Sequence, residues 1–426
     1  MSLLPLALSF VLFVSPAFAA QWEVSSADEF RQALVKAEEG DTIRLSEGVY
    51  EGSFEINRPL TVEGSEGTVI DAQGKGSCLF VKANNVVIRS LELKNYGSDL
   101  YQLDSGVRIN DRVHGVELTK LKMQGPGFGI RADHASDITI KNSEIRGKKR
   151  MHVLDRGDGV YFNYVRGAVL DGNKVLFTRD GFYFENTDEI SSDNNYFGGV
   201  QYGIHYMYAR SASASGNKAV GSIGGYAIMS SERIELKNNT SDRTVEFGVL
   251  LNESEHSVVA GNIVSRVHNP RGKPALDTEG KGIFIYGGGI NSVTNNSFER
   301  SDIGVSMAMG GEGTALSRNR FVDNKTQVRY VGSQTVDWSK EGVGNYWSSY
   351  QGWDLNNDGI GDRAYQPNDA LDRLFWHYPN ARFLMDSPVV SLLRFLAKTL
   401  DLDKGCGVVD RFPLFKDPAA AKQKTS

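Results

Sequence analysis

Asp180-Gly-Phe-Tyr-Phe-Glu185 is one copy of a pattern that the chain repeats. The same glycine-led apolar stretch returns as Gly203-Ile-His-Tyr-Met207, Gly225-Tyr-Ala-Ile-Met229, Gly248-Val-Leu-Leu-Asn252, Gly282-Ile-Phe-Ile-Tyr286 and Gly304-Val-Ser-Met-Ala308. It is preceded by Gly106-Val-Arg-Ile-Asn110, Gly129-Ile-Arg-Ala-Asp133 and Gly159-Val-Tyr-Phe-Asn163. The leading glycines step by 23, 30, 22, 22, 22, 23, 34 and 22 residues, so one unit is about 22 residues long.

A second column keeps the same period. Asn142, Asn173, Asn195, Asn217, Asn239, Asn262, Asn296 and Asn319 step by 31, 22, 22, 22, 23, 34 and 23. An asparagine buried at a fixed corner can bond its own turn and the next unit, satisfying polar groups that the turn would otherwise orphan. No single unit can bury its apolar face, so a core forms only by stacking. Strands that recur in one direction, one unit apart, pair in parallel, and such crossovers default to a right-handed path. The expected fold is all-β: a right-handed parallel β-helix.

Composition sets the remaining bounds. The chain has 426 residues, a net charge of -5 and only two cysteines. That balance gives no support to a nucleic-acid binder. Leu3 to Val14 is an apolar run too short to span a bilayer, and Ala17-Phe-Ala19 offers a cleavage site, so residues 1–19 are expected to be a secretory signal. Residues 20–40 are expected to cap the stack, with Ser26 or Asp28 starting a helix that buries Phe30, Ala33, Leu34 and Ala37. The β-helix should occupy 41–330. Residues 331–426 form an extension with a second helix, opened by Ser387 and Pro388 and running to Leu400. Its face of Val389, Leu392, Leu393, Leu396 and Leu400, with Phe395 beside it, is expected to pack on the end of the stack; docking on a membrane partner is the other use. Cys78 and Cys406 lie at opposite ends of such a stack and are expected to be separate buried thiols.

Strand side chains alternate in direction. The first and third residues after each glycine are apolar throughout, from Val107 and Ile109 to Val305 and Met307, and form the core. The second and fourth face outward. That outer row begins with Arg108 and Arg131, turns aromatic at Tyr161 and Tyr183, and continues through His205, Met207, Met229, Leu250 and Phe284. So much soft apolar side chain on a surface points to a partner or ligand groove. The steps of 30 and 34 exceed the period by 8 and 12 residues, which places two insertions at the same corner. They run from Arg146 to Asp155 and from Arg266 to Lys273, roughly 24 Å apart, and flank the outer row.

Imidazole and thioether suit soft copper, which makes Met151, His152, Tyr183, His205, Met207, Met229 and His268 the candidate partner or copper-handling face. Plain packing beneath the loops is the competing use, since no tight metal-spacing motif occurs. Asp354, Asn356, Asp358, the Ile360 carbonyl and Asp362 match the first part of a calcium loop, although Tyr365 stands where its last glutamate belongs. An ordinary Asp/Asn/Gly turn explains the same residues. Catalysis on polysaccharides needs paired carboxylates over a groove. Asp133, Asp155, Asp158, Asp180 and Glu185, with Arg108, Arg131 and Arg179, supply the residue types but single out no pair.

Longer segments carry a family resemblance. They are Gly344-Asn-Tyr-Trp-Ser-Ser-Tyr-Gln-Gly-Trp-Asp354, Asp358-Gly-Ile-Gly-Asp362, Tyr365-Gln-Pro-Asn-Asp-Ala-Leu-Asp-Arg373, Trp376-His-Tyr-Pro379, Ser387-Pro-Val-Val-Ser-Leu-Leu-Arg394 and Gly407-Val-Val-Asp410. With the signal segment and the coils, the chain resembles the NosD family along its whole length. The family comprises periplasmic maturation proteins of nitrous-oxide reductase. The resemblance implies a β-helix of the carbohydrate-binding/sugar-hydrolase type that is not itself an enzyme, within the pectin-lyase-like superfamily. It implies four partners: the ATPase and the permease of an ABC transporter, a copper chaperone lipoprotein, and the reductase whose copper centre is assembled. A secreted uronate lyase, epimerase or hydrolase is the alternative that the fold alone would allow.

Overall fold

The computed structural model describes residues 19–419 apart from 274–275, 333, 369–370, 373–377, 379–383, 385–386 and 400–406. The expected signal segment (Ala19 excepted), Leu400, Trp376 and Cys406 therefore lie outside the described residues. Three parallel sheets of 13, 12 and 13 strands run the length of the stack. Each coil gives one strand to each sheet, and every strand pairs with its counterparts in the coils before and after, as in Phe182 beside Ile204 and Phe184 beside Tyr206. The core residues read from the alternation are buried as expected, from Val107 and Ile109 to Val305 and Met307. The first helix, α1 (Ala27–Lys36), is capped by Ser26 and buries Phe30, Ala33 and Leu34. The strand Gln21–Val24 joins the 13-stranded sheet that begins the coil, so the expected cap is a strand as well as a helix. Pairing also continues past residue 330, to Tyr346–Trp347 beside Arg320–Phe321.

The leading glycines are set by close approach. A Cβ on Gly181 would sit 2.3 Å from the carbonyl oxygen of Gly203 and 2.3 Å from the Phe197 ring. Real Cβ atoms do not tolerate such contacts, and the same carbonyl clash recurs at Gly159, Gly203, Gly225, Gly248 and Gly282.

The asparagine ladder is continuous from Asn173 through Asn195, Asn217, Asn239, Asn262, Asn296 and Asn319 to Asn345. From Asn195 onward each Oδ1 accepts from the backbone N–H and the Nδ2 of the asparagine one coil earlier; for Asn217 these bonds are 2.9 Å each. Each Nδ2 also donates to a strand carbonyl, Ser192 O at 2.8 Å in the case of Asn217. Asn142, expected in this column, is not in it. It is exposed and adopts a left-handed φ of 50°, while Ser143 holds the ladder position and its N–H donates to Asn173 Oδ1. The residue before each rung from Asn173 to Asn319 is left-handed, which favours Asn or Gly there; Asn194, Gly216, Asn238 and Gly261 show it. Asn142 belongs to that neighbouring column.

The far end is closed by Asp410. Its Oδ2 accepts from Asn345 N–H at 2.7 Å and Trp347 Nε1 at 2.8 Å, so a carboxylate stands where the next asparagine would be. Around it Phe321, Trp347 and Trp338 stack in series. Residues Thr335–Asp337 pair with Gly407–Val409 to complete the seal. The second helix, α2 (Pro388–Thr399), is therefore not needed as a plug. Val389, Leu392, Leu393, Phe395 and Leu396 are exposed, against the expectation that this face packs on the stack; Val390 is the buried member among the described side chains of α2. Cys78 is a buried thiol inside the core, its pKa pushed up to about 12 by burial.

Two stability predictions follow from these end-to-end bonds. Asn217→Ala removes acceptors and donors from a dry column and should cost on the order of 3 to 5 kcal/mol, whereas Asn142→Ala should cost about 1 kcal/mol; denaturant unfolding of the two variants distinguishes a rung from its neighbour. Burial raises the Asp410 carboxyl from its ordinary 3.8 to about 6 in the fold, against the opposing hydrogen bonds of Trp347 and Asn345. The folded value is the higher one, so its proton-linked stabilisation is complete below the ordinary value and is lost as pH rises through about 6. Unfolding free energies measured from pH 5 to 7 should fall more steeply for the wild-type protein than for Asp410→Asn.

Candidate functional site

The outer face of the glycine-strand sheet is built from three columns, not two. Pairing sets Arg131, Tyr161, Tyr183, His205, Ala227, Leu250 and Phe284 side by side, one per coil. A parallel column carries Asp133, Asn163, Glu185, Met207, Met229, Asn252 and Tyr286. The third column precedes the glycines, where the backbone bends and turns Phe128, Asp158, Asp180, Tyr202, Phe247 and Lys281 onto the same face. Phe128 stacks on Tyr161, Tyr202 sets its ring edge-on to His205, and Lys281 Nζ lies over Phe284. Simple alternation misses this column; the signal was the polar or aromatic residue just before most of the glycines, Gly225 and Gly304 excepted.

Stacked rings form the middle of the face. Tyr161 and Tyr183 lie 4.8 Å apart and Tyr183 and His205 4.6 Å apart, with the Arg131 guanidinium 3.6 Å over Tyr161. Each stacked pair contributes about 0.5–1.5 kcal/mol beyond its burial. Burial pushes the Tyr183 hydroxyl up to about 12 and the Tyr161 hydroxyl well above its usual range. Toward the C-terminus the face becomes a small apolar cluster. Ala227, Phe247 and Leu250 are buried there, with Tyr202, Met229 and Phe284 packed against them. Part of the expected outward row is thus covered, and the cover comes from strand residues rather than the loops.

The carboxylates are already engaged. Arg131 grips Asp133 through two bonds, and Tyr161 donates to Glu185. Arg179 donates from Nε and Nη2 to Asp158 at 2.9 and 2.6 Å, and the Asp180 N–H adds a third bond at 2.9 Å. Asp158 is fully buried, which pushes its carboxyl up to about 6 against the opposing charge of Arg179. Asp180 accepts from Tyr202 N–H on Oδ1 and pairs through Oδ2 with His205 Nδ1, each at 3.0 Å. His205 Nε2 is buried and has no hydrogen-bond partner.

The loops emerge at one corner, as the spacing implies, five strands apart in the glycine-strand sheet. That separation is roughly 24 Å. Met151 and His152 belong to the first. His152 Nδ1 accepts from Leu154 N–H within the loop, and Arg156 ties the loop down by donating to Met151 O and Lys149 O. His268 pairs with Asp302 at 2.8 Å at the other end and is exposed. The structure therefore sets Tyr183, His205, Met207 and Met229 on three consecutive strands of one sheet, with Tyr183 and His205 in contact, and leaves Met151, His152 and His268 at two distant rims. No group of three or more His, Cys, Asp or Glu side chains converges on a metal position among the described residues. In the Asp354–Asp362 loop, Asp354 accepts from the N–H groups of Asp358 and Gly359, Asp358 accepts from Ile360 N–H, and Asp362 accepts from Leu355 N–H. The loop is held from outside by Phe415 N–H donating to Gly359 O.

Comparison with known proteins gives this geometry a family. The family model described as "Periplasmic copper-binding protein (NosD)" matches residues 141–352. A protein of Stutzerimonas stutzeri named "Probable ABC transporter binding protein NosD" is 41% identical over 380 residues, which cover 88% of this chain and 87% of that protein. Its namesake in Pseudomonas aeruginosa is 38% identical, covering 88% of each chain. Among solved structures, the family 28 exopolygalacturonase of Yersinia enterocolitica aligns with a TM-score of 0.53 at 9% identity, over 74% of this chain and 77% of that one; at that identity the likeness is one of fold alone. No described helix is long and apolar enough to cross a membrane. By sequence over most of its length, the chain belongs to the NosD family of periplasmic copper-binding proteins.

Proposed function

We propose that this protein works in the periplasm as an accessory to copper-centre assembly in nitrous-oxide reductase, as the docking component of an ABC transporter complex. Its partners in this reading are the ATPase and permease subunits, a copper chaperone lipoprotein and the reductase. The family and the names of the relatives support a binding protein associated with a transporter. The observation that carries the copper part is His205 Nε2, a buried nitrogen without a partner, on the strand that also carries Met207, with Met229 on the next strand. An unsatisfied buried acceptor costs about 1–3 kcal/mol, so a face that keeps one is suited to an incoming ligand. Cu(I) is the cargo that imidazole and thioether select, and Tyr183 backs the imidazole by stacking. Met151, His152 and His268 act as rims for a protein partner. The engaged carboxylates support binding over hydrolysis or elimination, because the carboxylates bordering the ring stack are tied to arginine, tyrosine or histidine.

Two measurements test this. The double variant Met207→Leu and Met229→Leu should lose Cu(I) affinity at least tenfold in an anaerobic chelator competition, and the tagged full-length protein should co-purify with the permease; unchanged affinity would reduce the methionines to packing, and depolymerised uronate polymer without co-purification would favour an enzyme. The Asp354–Asp362 loop keeps a structural calcium as its second reading, supported by the way Gly359 and Asp358 preset Asp354. Excess calcium should then raise Tm relative to EDTA, and equal Tm values would leave a plain turn.

A further inference from the structure

We infer that Asp180 is the positioning residue that turns His205 into a ligand, an inference that rests on the copper reading above. An ionised carboxylate only accepts, so the 3.0 Å contact between Asp180 Oδ2 and His205 Nδ1 puts the imidazole proton on Nδ1. The lone pair is thereby left at Nε2, the buried atom without a partner. Metal-binding histidines commonly bond a carboxylate through their other nitrogen, which fixes tautomer and ring orientation.

Asp180 is itself held on every side. Its Oδ1 accepts from Tyr202 N–H at 3.0 Å, its N–H donates to Asp158 Oδ1, and its carbonyl accepts from Thr178 Oγ1 at 2.8 Å. Asp158 in turn is fixed by two bonds from Arg179. The imidazole cannot turn away, because Tyr183 covers one face at 4.6 Å and Tyr202 meets its edge at 5.2 Å. The whole assembly uses the column before the glycines, with Asp180 and Tyr202 in consecutive coils and His205 three residues after Tyr202. With Asp180 engaged at Nδ1, the ligand atom left on the ring is a neutral imidazole nitrogen, a donor that suits copper better than harder cations such as magnesium or calcium.

The tautomer can be read in the metal-free protein. Long-range 1H–15N correlation spectra of the wild-type chain should show His205 protonated at Nδ1, and Asp180→Ala should lose that single tautomer. Cu(I) competition with a chromophoric chelator should show Asp180→Asn weakened about 10- to 100-fold and His205→Ala at least as far. A wild-type His205 protonated at Nε2 would overturn the proposal, as would wild-type affinity in Asp180→Asn alongside loss in His205→Ala. Undiminished affinity in His205→Ala would instead sink the copper reading and Asp180's ligand-presenting role with it, while the wild-type spectrum reports the Asp180–His205 bond separately.

Discussion

The structure depends on one constraint: backbones of successive coils must approach to strand-pairing distance at corners that no water reaches. Two devices meet it. At the start of each glycine strand the side chain is removed, because a Cβ on Gly181 or Gly159 would strike a carbonyl of the next coil. At the corner one strand earlier a side chain is added, because the turn leaves N–H and C=O groups that only another polar group can satisfy. Asparagine carries both a donor pair and an acceptor, so it can bond its own coil and the next in an unbroken line from Asn173 to Asn345. Such a line has a terminus, and the terminus must be satisfied as well. Asp410, distant in sequence, fills that position with a carboxylate, which ties the C-terminal tail to the stack by the same bond geometry that holds the coils together.

Fixed stacking has a consequence for the surface. Every outward position is repeated at one strand spacing, so neighbouring coils present the same column in contact. Aromatic residues in one column then stack on one another, as Tyr161, Tyr183 and His205 do. Rings that cover each other present edges rather than faces. Along Tyr161, Tyr183 and His205 the column therefore offers ring edges to whatever meets it.

The fold was legible because stacking writes itself into the sequence at a fixed period: glycine steps, asparagine steps and alternation all named the same 22-residue coil. What periodicity could not resolve was position within one residue. Asn142 sits beside the ladder because asparagine serves equally well as a left-handed turn residue and as a rung. The outward row was legible as far as alternation holds, and alternation fails at the bend before each glycine. Tyr202, Phe247 and Asp180 therefore reach the face unannounced, and they decide that Leu250 is buried and His205 is oriented. The apolar stripe of α2 was legible as a stripe, but not its exposure, since the end of the stack is sealed by Trp338 and Trp347 with Asp410, a residue far along the chain.

The two insertions belong to an argument about size. Loops at one corner and five coils apart cannot close on the same small ligand, because roughly 24 Å separates them. Each is also internally braced, the first by Arg156 on its own carbonyls and the second by Asp302 on His268 and on the Asn269 N–H. Braced rims set this far apart thus flank a stacked, largely buried floor. Within that span the single orphaned nitrogen of His205 is the place where contact could become coordination. In the function proposed above, docking and metal transfer would not compete for the same groups: the rims would supply area and the floor the imidazole, each fixed by different coils of one stack.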